Sequence, residues 1–537
     1  MIKKLFLIIV FLLIATSNIF PCTNYIVTKG ASKDGSVMLF YTCDGQFLYN
    51  LKYYPAKDYK PGDSTEFRSW GSNVKGKIKE AAHTYAHIGF HMNEYQLSIG
   101  ETTFGGRKEL INDTKFLHYG SLMRIALQRA KTAREAIKVM TDIAEEYGYA
   151  SEGETFSIAD TEEAWIMEMV GTGKGGEGAV WVARKIPDGM ICAHANMSRI
   201  GEFPLNDPEN CLYSKNVISF AIEKGYYNPD SGEPFRFNDA YDPINPKHLR
   251  YCATRVWSLY NKTCPNSNFS IDFSRGVKNS KRYPLWIKPE KKLSLQDVMN
   301  IVRDHYEGTE IDMTKGLIAG PFGCPNRLRP LAFKEDSTEY TWERPVSTYN
   351  AGFSIINQSR SWLPNSVGGV VWFGQDDNYT TCYQPLYCGI NKIPESLANG
   401  DMRKFSWDCQ WWVINFVSNF SNLRYSYMIK DIQKVQNSLE TKIISEQDSI
   451  VEKAVDYYKS GKKEKLRDFL TEYSLKQSSE ILNKWTDLAY LLISKYNDGF
   501  IKEDGKPYGK QVGYPDEWNK KIINDDPERY KIPVWKN

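Results

Sequence analysis

The sequence predicts an α+β chain, β-rich over most of its length and helical towards its C-terminus. Three observations predict this. Runs of β-branched and aromatic residues broken by turn residues recur at 23–41, 85–103, 156–195 and 348–373. Two helical segments lie between the second and third of these runs. From Met428 onward, apolar residues return at helical rather than alternating spacing. The composition is that of a globular protein, 42% hydrophobic and 25% charged over 537 residues. With 68 Lys and Arg against 65 Asp and Glu, the net charge is only +3, which argues against a nucleic-acid partner. The aromatic content, 14%, suits a β-rich core with large pockets.

The N-terminus reads as an export signal. Lys3 and Lys4 precede an apolar run at 5–15, too short for a membrane anchor, and Ala15, Thr16 and Ser17 offer a small-x-small cleavage site. Residues 1–17 are therefore expected to be a signal peptide and the product to be periplasmic or extracellular. Residues 18–21 then form a short propeptide before Cys22. No later stretch has the roughly 20 apolar residues of a membrane span. A cysteine in this place has three readings. It is a lipid-anchor cysteine, although bulky Ile19, Phe20 and rigid Pro21 suit that poorly. It is a nucleophile whose own α-amine, once exposed, takes the thiol proton. Or it is an ordinary buried thiol.

Along the chain, residues 23–29 and 37–41 read as a hairpin around Asp34-Gly35, which puts Cys22 at a strand's open end. Residues 85–103 read as strands. Thr132 and Glu135 form a capping box for a helix whose apolar face is Ala136, Val139, Met140 and Ile143. Residues 156–159, 164–170, 179–186 and 190–195 read as successive strands. From 206 to 292, Pro, Asn, Tyr and Ser imply long loops. Met428, Ile432, Val435, Leu439 and Ile443 line one side of a helix, and the pattern continues to Leu491 and Leu492. This stripe suits either capping the rest of the protein or forming a homo-oligomer. The tail from Phe500 reads as extended. The expected organisation is a catalytic region at 22–425, a helical region at 426–499 and an extended tail at 500–537.

Several motifs are set aside on local chemistry. Gly171, Gly173 and Gly176 have dinucleotide-loop spacing, but a strand rather than a helix follows them, so they mark a hairpin loop. His83, His87 and His91 fall at four-residue spacing without the glutamate of a metalloprotease helix, in a segment that reads as strand. No nucleophile-elbow serine or phosphate loop is present. No metal or other cofactor is expected. Ten cysteines are too few for a disulfide scaffold, although Cys382 and Cys388 suit one bridge in an exported protein. Around Cys22, Asp44 ends the second hairpin strand, where a carboxylate can hold a protonated α-amine. Asn196 follows the strand at 190–195, where its amide N–H₂ suits an oxyanion donor.

These residues fall in an order that resembles peptidase family C69. The resemblance begins with Cys22-Thr23-Asn24, Ala31-Ser32, Asp34-Gly35-Ser36 and Asp44. It continues through Asn93-Glu94, Gly100-Glu101-Thr102-Thr103-Phe104-Gly105-Gly106, Gly153-Glu154 and Ala164-Trp165-Ile166-Met167-Glu168. It runs on in Ala195-Asn196, Ser198-Arg199-Ile200, Arg303-Asp304-His305-Tyr306-Glu307-Gly308-Thr309 and Ser361-Trp362-Leu363-Pro364, so that it spans about residues 22–430. Members of that family are dipeptidases, N-terminal-nucleophile hydrolases related to penicillin V acylase and bile salt hydrolase.

The resemblance implies an Ntn-hydrolase αββα four-layer sandwich and a cysteine dipeptidase that cleaves short peptides through a Cys22 thioester. It implies Asp44 as holder of the amine, Asn196 as a ligand of substrate or oxyanion, and Arg255 as a structural arginine of the site, with Arg250 as the alternative. Glu101, Thr102 and Thr103 stand where the relatives place another oxyanion donor and, with Tyr41, are expected to contact substrate. The family opening carries arginine three residues before the acid, and here Tyr41 stands there, a hydrogen-bonding group in place of a cation. The rival functions are an amidase for non-peptide amides and a lipid-anchored binding protein without activity.

Overall fold

The structure, a computed structural model, describes residues 22–69 and 74–535. The expected signal peptide and propeptide, residues 1–21, lie outside the described residues. Six strands organise the fold: β1 (Cys22–Val27), β2 (Val37–Asp44), β3 (Ser98–Gly105), β4 (Gly153–Ala159), β5 (Ile191–His194) and β6 (Ala351–Ser359). Among the described residues, seven helices have ten residues or more: α1 (Tyr119–Arg129), α2 (Ala133–Tyr147), α3 (Pro246–Thr263), α4 (Gln410–Ser421), α5 (Tyr425–Lys459), α6 (Lys463–Lys495) and α7 (Asp516–Asp525).

Two antiparallel sheets form the centre. The seven-stranded sheet runs in the order Trp286–Ile287, β5, β1, β2, β6, Val370–Gln375, Gln384–Tyr387. The eight-stranded sheet runs Cys211–Tyr213, Val180–Lys185, Ala164–Val170, β4, β3, Met92–Asn93, His87–Ile88, Tyr53–Tyr54. Every residue of β1 and β2 is buried, because both sides of these strands are covered. Asn24 of β1 donates to the carbonyl of Glu101 on β3 (2.6 Å), whereas neighbouring Tyr25 meets Thr263 of α3 (2.8 Å). One side of β1 therefore faces the other sheet and the opposite side faces a helix, so alternation of polar and apolar residues is not required. The hairpin turn is held by Asp34, whose Oδ1 accepts from the Ser36 N–H (3.0 Å), and by Gly35 at φ +79°, a conformation that favours glycine.

The helices attach to these sheets at separate places. α1 lies against β3, and α2 against β4 and Ala164–Val170. The Thr132 hydroxyl caps α2 by accepting from the Glu135 N–H, as expected, but Glu135 returns its carboxylate to the Lys131 N–H (2.7 Å) rather than to Thr132. On the seven-stranded sheet, α3 packs on β5, α4 on Val370–Gln375 and α6 on Gln384–Tyr387. The stripe of Met428, Ile432, Leu439 and Ile443 on α5 is buried within the chain, with Val435 half-buried at its margin. Between the apolar residues, buried Glu440 takes a two-pronged grip from Arg303 (2.9 and 2.5 Å). The C-terminal helices thus cap the β-rich part of their own chain. Among the described residues, no helix is long and apolar enough to cross a membrane.

Several expectations change. The stretch 206–292, read as long loops, contains the 18-residue helix α3. Its signals are Asn245 as N-cap with Pro246 at the first helical position, followed by Leu249, Ala253, Val256 and Tyr260 on the buried side. The tail from Phe500, read as extended, contains a two-stranded pairing and the ten-residue α7. Cys382 and Cys388 are not bridged, and none of the ten cysteines forms a disulfide. The triple-glycine segment is the hairpin loop expected between Ala164–Val170 and Val180–Lys185. The histidines part company. His83 pairs with Asp58 at the surface, His87 meets the Gly89 carbonyl (2.7 Å), and His91 packs edge-on against Phe353. Burial pulls His87 down to about 4 and His91 to about 3, which leaves both neutral.

Candidate active site

The register brings the candidate residues together. β1 runs antiparallel to both neighbours, so its first residue lies beside the last residues of β2 and β5. Cys22 is opposite Cys43, and Asp44 is one residue further along β2. Asn196 follows β5 by two residues at φ +53°, a left-handed conformation that asparagine tolerates. The sequence distance of 174 residues between Cys22 and Asn196 closes to a hydrogen bond, the Cys22 main-chain nitrogen donating to Asn196 Oδ1 (3.0 Å).

Two buried arginines complete this arrangement. From α3, Arg255 Nη1 donates to the Cys22 carbonyl (2.5 Å) and the Thr23 hydroxyl (2.8 Å), and its Nη2 donates to Asn196 Oδ1 (2.8 Å). Arg250 points elsewhere, to the Thr341 carbonyl, and is partly exposed, so of the two arginines it is Arg255 that reaches Cys22. The second arginine, Arg344, stands ahead of β6. It forms an ion pair with Asp44 and donates to Asn196 Oδ1 (3.3 Å). Burial pulls Arg344 down to about 9, still charged at neutral pH. No sequence spacing marked Arg344, because 300 residues separate it from Asp44.

These contacts define the surroundings of Asn196 and Asp44. Asn196 Oδ1 accepts from three donors, and its Nδ2 donates to the Thr103 carbonyl (2.7 Å). Rotating the amide would put N–H₂ against two guanidinium groups, so the carbonyl oxygen must be the group that faces Cys22. Asp44, the expected holder of the amine, accepts from the Thr42 hydroxyl (2.9 Å) and pairs with the Arg344 guanidinium, while the Cys22 nitrogen meets Asn196.

The thiol side is acidic. Cys22 Sγ donates to Glu101 Oε1 (3.3 Å), and the Tyr41 hydroxyl donates to the same oxygen. Glu101 lies beside Glu154, which also accepts from the Thr103 hydroxyl (2.9 Å). Burial and the neighbouring Glu101 carboxylate push Glu154 up. Burial, the Cys43 thiol and these carboxyl groups likewise push the Cys22 thiol up. It stays neutral until a base takes its proton. Thr102 instead meets His194 of β5 (2.7 Å), whose other ring nitrogen meets Ser157 (2.6 Å). Its side chain ties the two sheets together. Among the described residues, the only group of three or more metal-ligand side chains close together is Cys22, Cys43 and Glu101.

A family model, Peptidase family C69, matches residues 21–438. The chain belongs to peptidase family C69. It is thereby a member of a family of peptide-bond hydrolases, and the match begins one residue before Cys22. It is similar to a probable dipeptidase of Salmonella dublin, 28% identical over 398 residues, 70% of this chain and 83% of the relative. A probable dipeptidase of Latilactobacillus sakei is 26% identical, covering 70% of this chain and 76% of the relative. Probable dipeptidase B of Streptococcus pyogenes serotype M1 is 24% identical over 467 residues, 83% of this chain and 87% of the relative.

In this C69 chain the loop after β5 depends on two further acids. Glu168 accepts from the Ser198 hydroxyl (2.5 Å) and the Arg199 N–H (2.5 Å), and Asp242 accepts from the Ser198 N–H (2.9 Å). Burial raises both to about 7. The folded protein therefore holds more protons than the unfolded chain between about pH 4 and 7, and stability falls as pH rises through that window. Each group accounts for a change on the order of 3 kcal/mol. The thermal midpoint is expected to be higher at pH 5 than at pH 8, with Glu168→Gln flattening the slope. An unchanged slope in that variant removes Glu168 as its source.

Proposed function

We propose that the protein is an exported cysteine dipeptidase with Cys22 as N-terminal nucleophile, in the αββα sandwich of that class. The observation that carries this is the Cys22 nitrogen donating to Asn196 Oδ1 while its own thiol sits in the same buried cluster. Freed by removal of residues 1–21, that nitrogen becomes an amine with a pKa near neutrality, about 7.7–8.0 in model compounds. The Asn196 carbonyl orients it, and it takes the thiol proton. The thiolate attacks the peptide carbonyl, the amine passes the proton to the leaving amine, and water then resolves the thioester. Arg255 fixes the Cys22 carbonyl, so the nucleophile's backbone does not shift between steps. The Asn196 Nδ2 hydrogen not used by Thr103 is suited to the developing oxyanion. Asp44 acts by holding Arg344 against Asn196.

The test pairs the N-terminal sequence and intact mass of the exported protein with assays on short substrates. The expected chain starts at Cys22 with an unmodified amine and prefers dipeptides with a free N-terminus over N-acyl amino acids. A chain that starts at Asn18 and is fully active refutes the amine mechanism. Added acyl mass on Cys22 makes it an anchor, and preference for N-acyl amino acids makes the protein an acylase.

A further inference from the structure

The cluster around the nucleophile has the donor set of a zinc site. Cys22 Sγ, Cys43 Sγ and a Glu101 carboxylate oxygen all lie within 4.8 Å of one another, and all three residues are buried. In tetrahedral zinc with Zn–S of about 2.3 Å and Zn–O of about 2.1 Å, neighbouring ligand atoms are about 3.5–3.8 Å apart. The Cys22–Glu101 edge is already 3.3 Å, so a cation needs only small rotations of the side chains. The pairing of β1 with β2 sets the two thiols opposite each other, and it is fixed by six successive residue pairs. Soft thiolates select zinc and its neighbours over magnesium or calcium.

We propose that Cys22, Cys43 and Glu101 form an inhibitory site for Zn²⁺. On binding, each thiol releases its proton to solvent as its Zn–S bond forms, and no oxidation or reduction takes place. Two thiolates and one carboxylate leave the complex with a single negative charge, and the Arg344 guanidinium acts on both sulfurs and offsets it. The α-amine of mature Cys22 is the fourth ligand, closing a five-membered ring with its own sulfur. This fourth contact rests on the proposed N-terminal nucleophile; the three side-chain contacts do not. Occupied, the site holds the nucleophilic sulfur on the metal, so zinc switches the enzyme off reversibly and a chelator switches it on.

The experiment uses the exported, processed protein, reduced and metal-free. Zinc is titrated against a chromophoric chelator while hydrolysis of a dipeptide is followed, and Co²⁺ is bound in parallel as a spectroscopic probe. One Zn²⁺ per chain is expected, with inhibition reversed by EDTA and a Co²⁺ spectrum whose thiolate-to-metal absorption matches two sulfurs. Cys43→Ser is expected to weaken inhibition at least about tenfold relative to its own zinc-free rate. Inhibition unchanged in Cys43→Ser, or a Co²⁺ spectrum of one thiolate, overturns the site, as does failure to bind one equivalent. If Cys43→Ser does not fold, the Co²⁺ spectrum of the unaltered protein still decides. N-terminal sequencing of the same sample reports processing separately, so two-thiolate binding by a chain not starting at Cys22 refutes only the amine ligand.

Discussion

Cys22→Ser is expected to lower kcat/KM for dipeptides by at least about 10³-fold, and Cys22→Ala to leave no activity above background. Serine keeps the shape and the proposed base, the α-amine, but replaces a thiol by a hydroxyl of much higher pKa, which such a base deprotonates far less readily. The site makes the demand steep, because burial and the carboxyl pair beside it already oppose ionisation of the thiol. A hydroxyl in that setting is a weaker nucleophile still. Circular dichroism and the thermal midpoint should stay close to those of the unaltered protein, since Arg255 and Asn196 hold Cys22 through its backbone. A Cys22→Ser variant with activity within tenfold of the unaltered enzyme would sink the nucleophile assignment. If Cys22 also cuts the chain before itself, Cys22→Ala expressed from residue 1 keeps residues 18–21, which intact mass reads directly.

Arg344→Met is expected to destabilise the fold by about 3–5 kcal/mol and to depress kcat more than KM. The change strips the cation from buried Asp44, and an unpaired buried carboxylate is far costlier than the pair is worth. It also removes one of three donors to Asn196 Oδ1, loosening the group that orients the Cys22 nitrogen. The double variant with Asp44→Asn separates the two effects. Removing both charges should restore most of the stability, because no uncompensated charge then remains. Activity should stay low, because Asn196 is still short of a donor. Urea unfolding and steady-state kinetics on the three variants check this. If the double variant is as unstable as Arg344→Met alone, the ion pair is not the source of the cost.

Elements whose physics is local are legible in the amino-acid sequence alone. The hairpin around Asp34 and Gly35 depends on a turn of a few residues, the cap of α2 on Thr132 and Glu135, and the α5 stripe on spacing along one helix. Each appears where the pattern put it. Elements that depend on distant partners do not read as well. The helix α3 is hidden by Pro, Asn and Tyr around it, although Asn245 and Pro246 announce its start. Glu135 shows the limit within one turn, since its carboxylate goes to Lys131 rather than to the cap residue.

The site divides in the same way. Cys22 and Asn196 stand out by strand position and by the order of motifs, Arg255 only as one of two candidates with Arg250, and the fold brings all three into contact. Thr102 was expected beside substrate, yet its hydroxyl serves the contact between sheets through His194. Arg344 was not found at all. Tyr41 occupies the position of an expected arginine near Asp44, and the cation arrives from a segment ahead of β6 instead.

By itself the amino-acid sequence determined the membership in family C69, the cysteine that opens β1, the strand and helix character of most segments, and the near-neutral charge. Those properties are carried by residue type and short-range spacing. Only the tertiary structure decided which groups surround the thiol: Arg344 on Asp44, Asn196 with its carbonyl turned to the Cys22 nitrogen, and Cys43 and Glu101 around the sulfur. The reason is that charge pairing, burial and the direction of an amide depend on distances between atoms far apart in the chain. Sheet register and helix packing set those distances, and no local pattern encodes them.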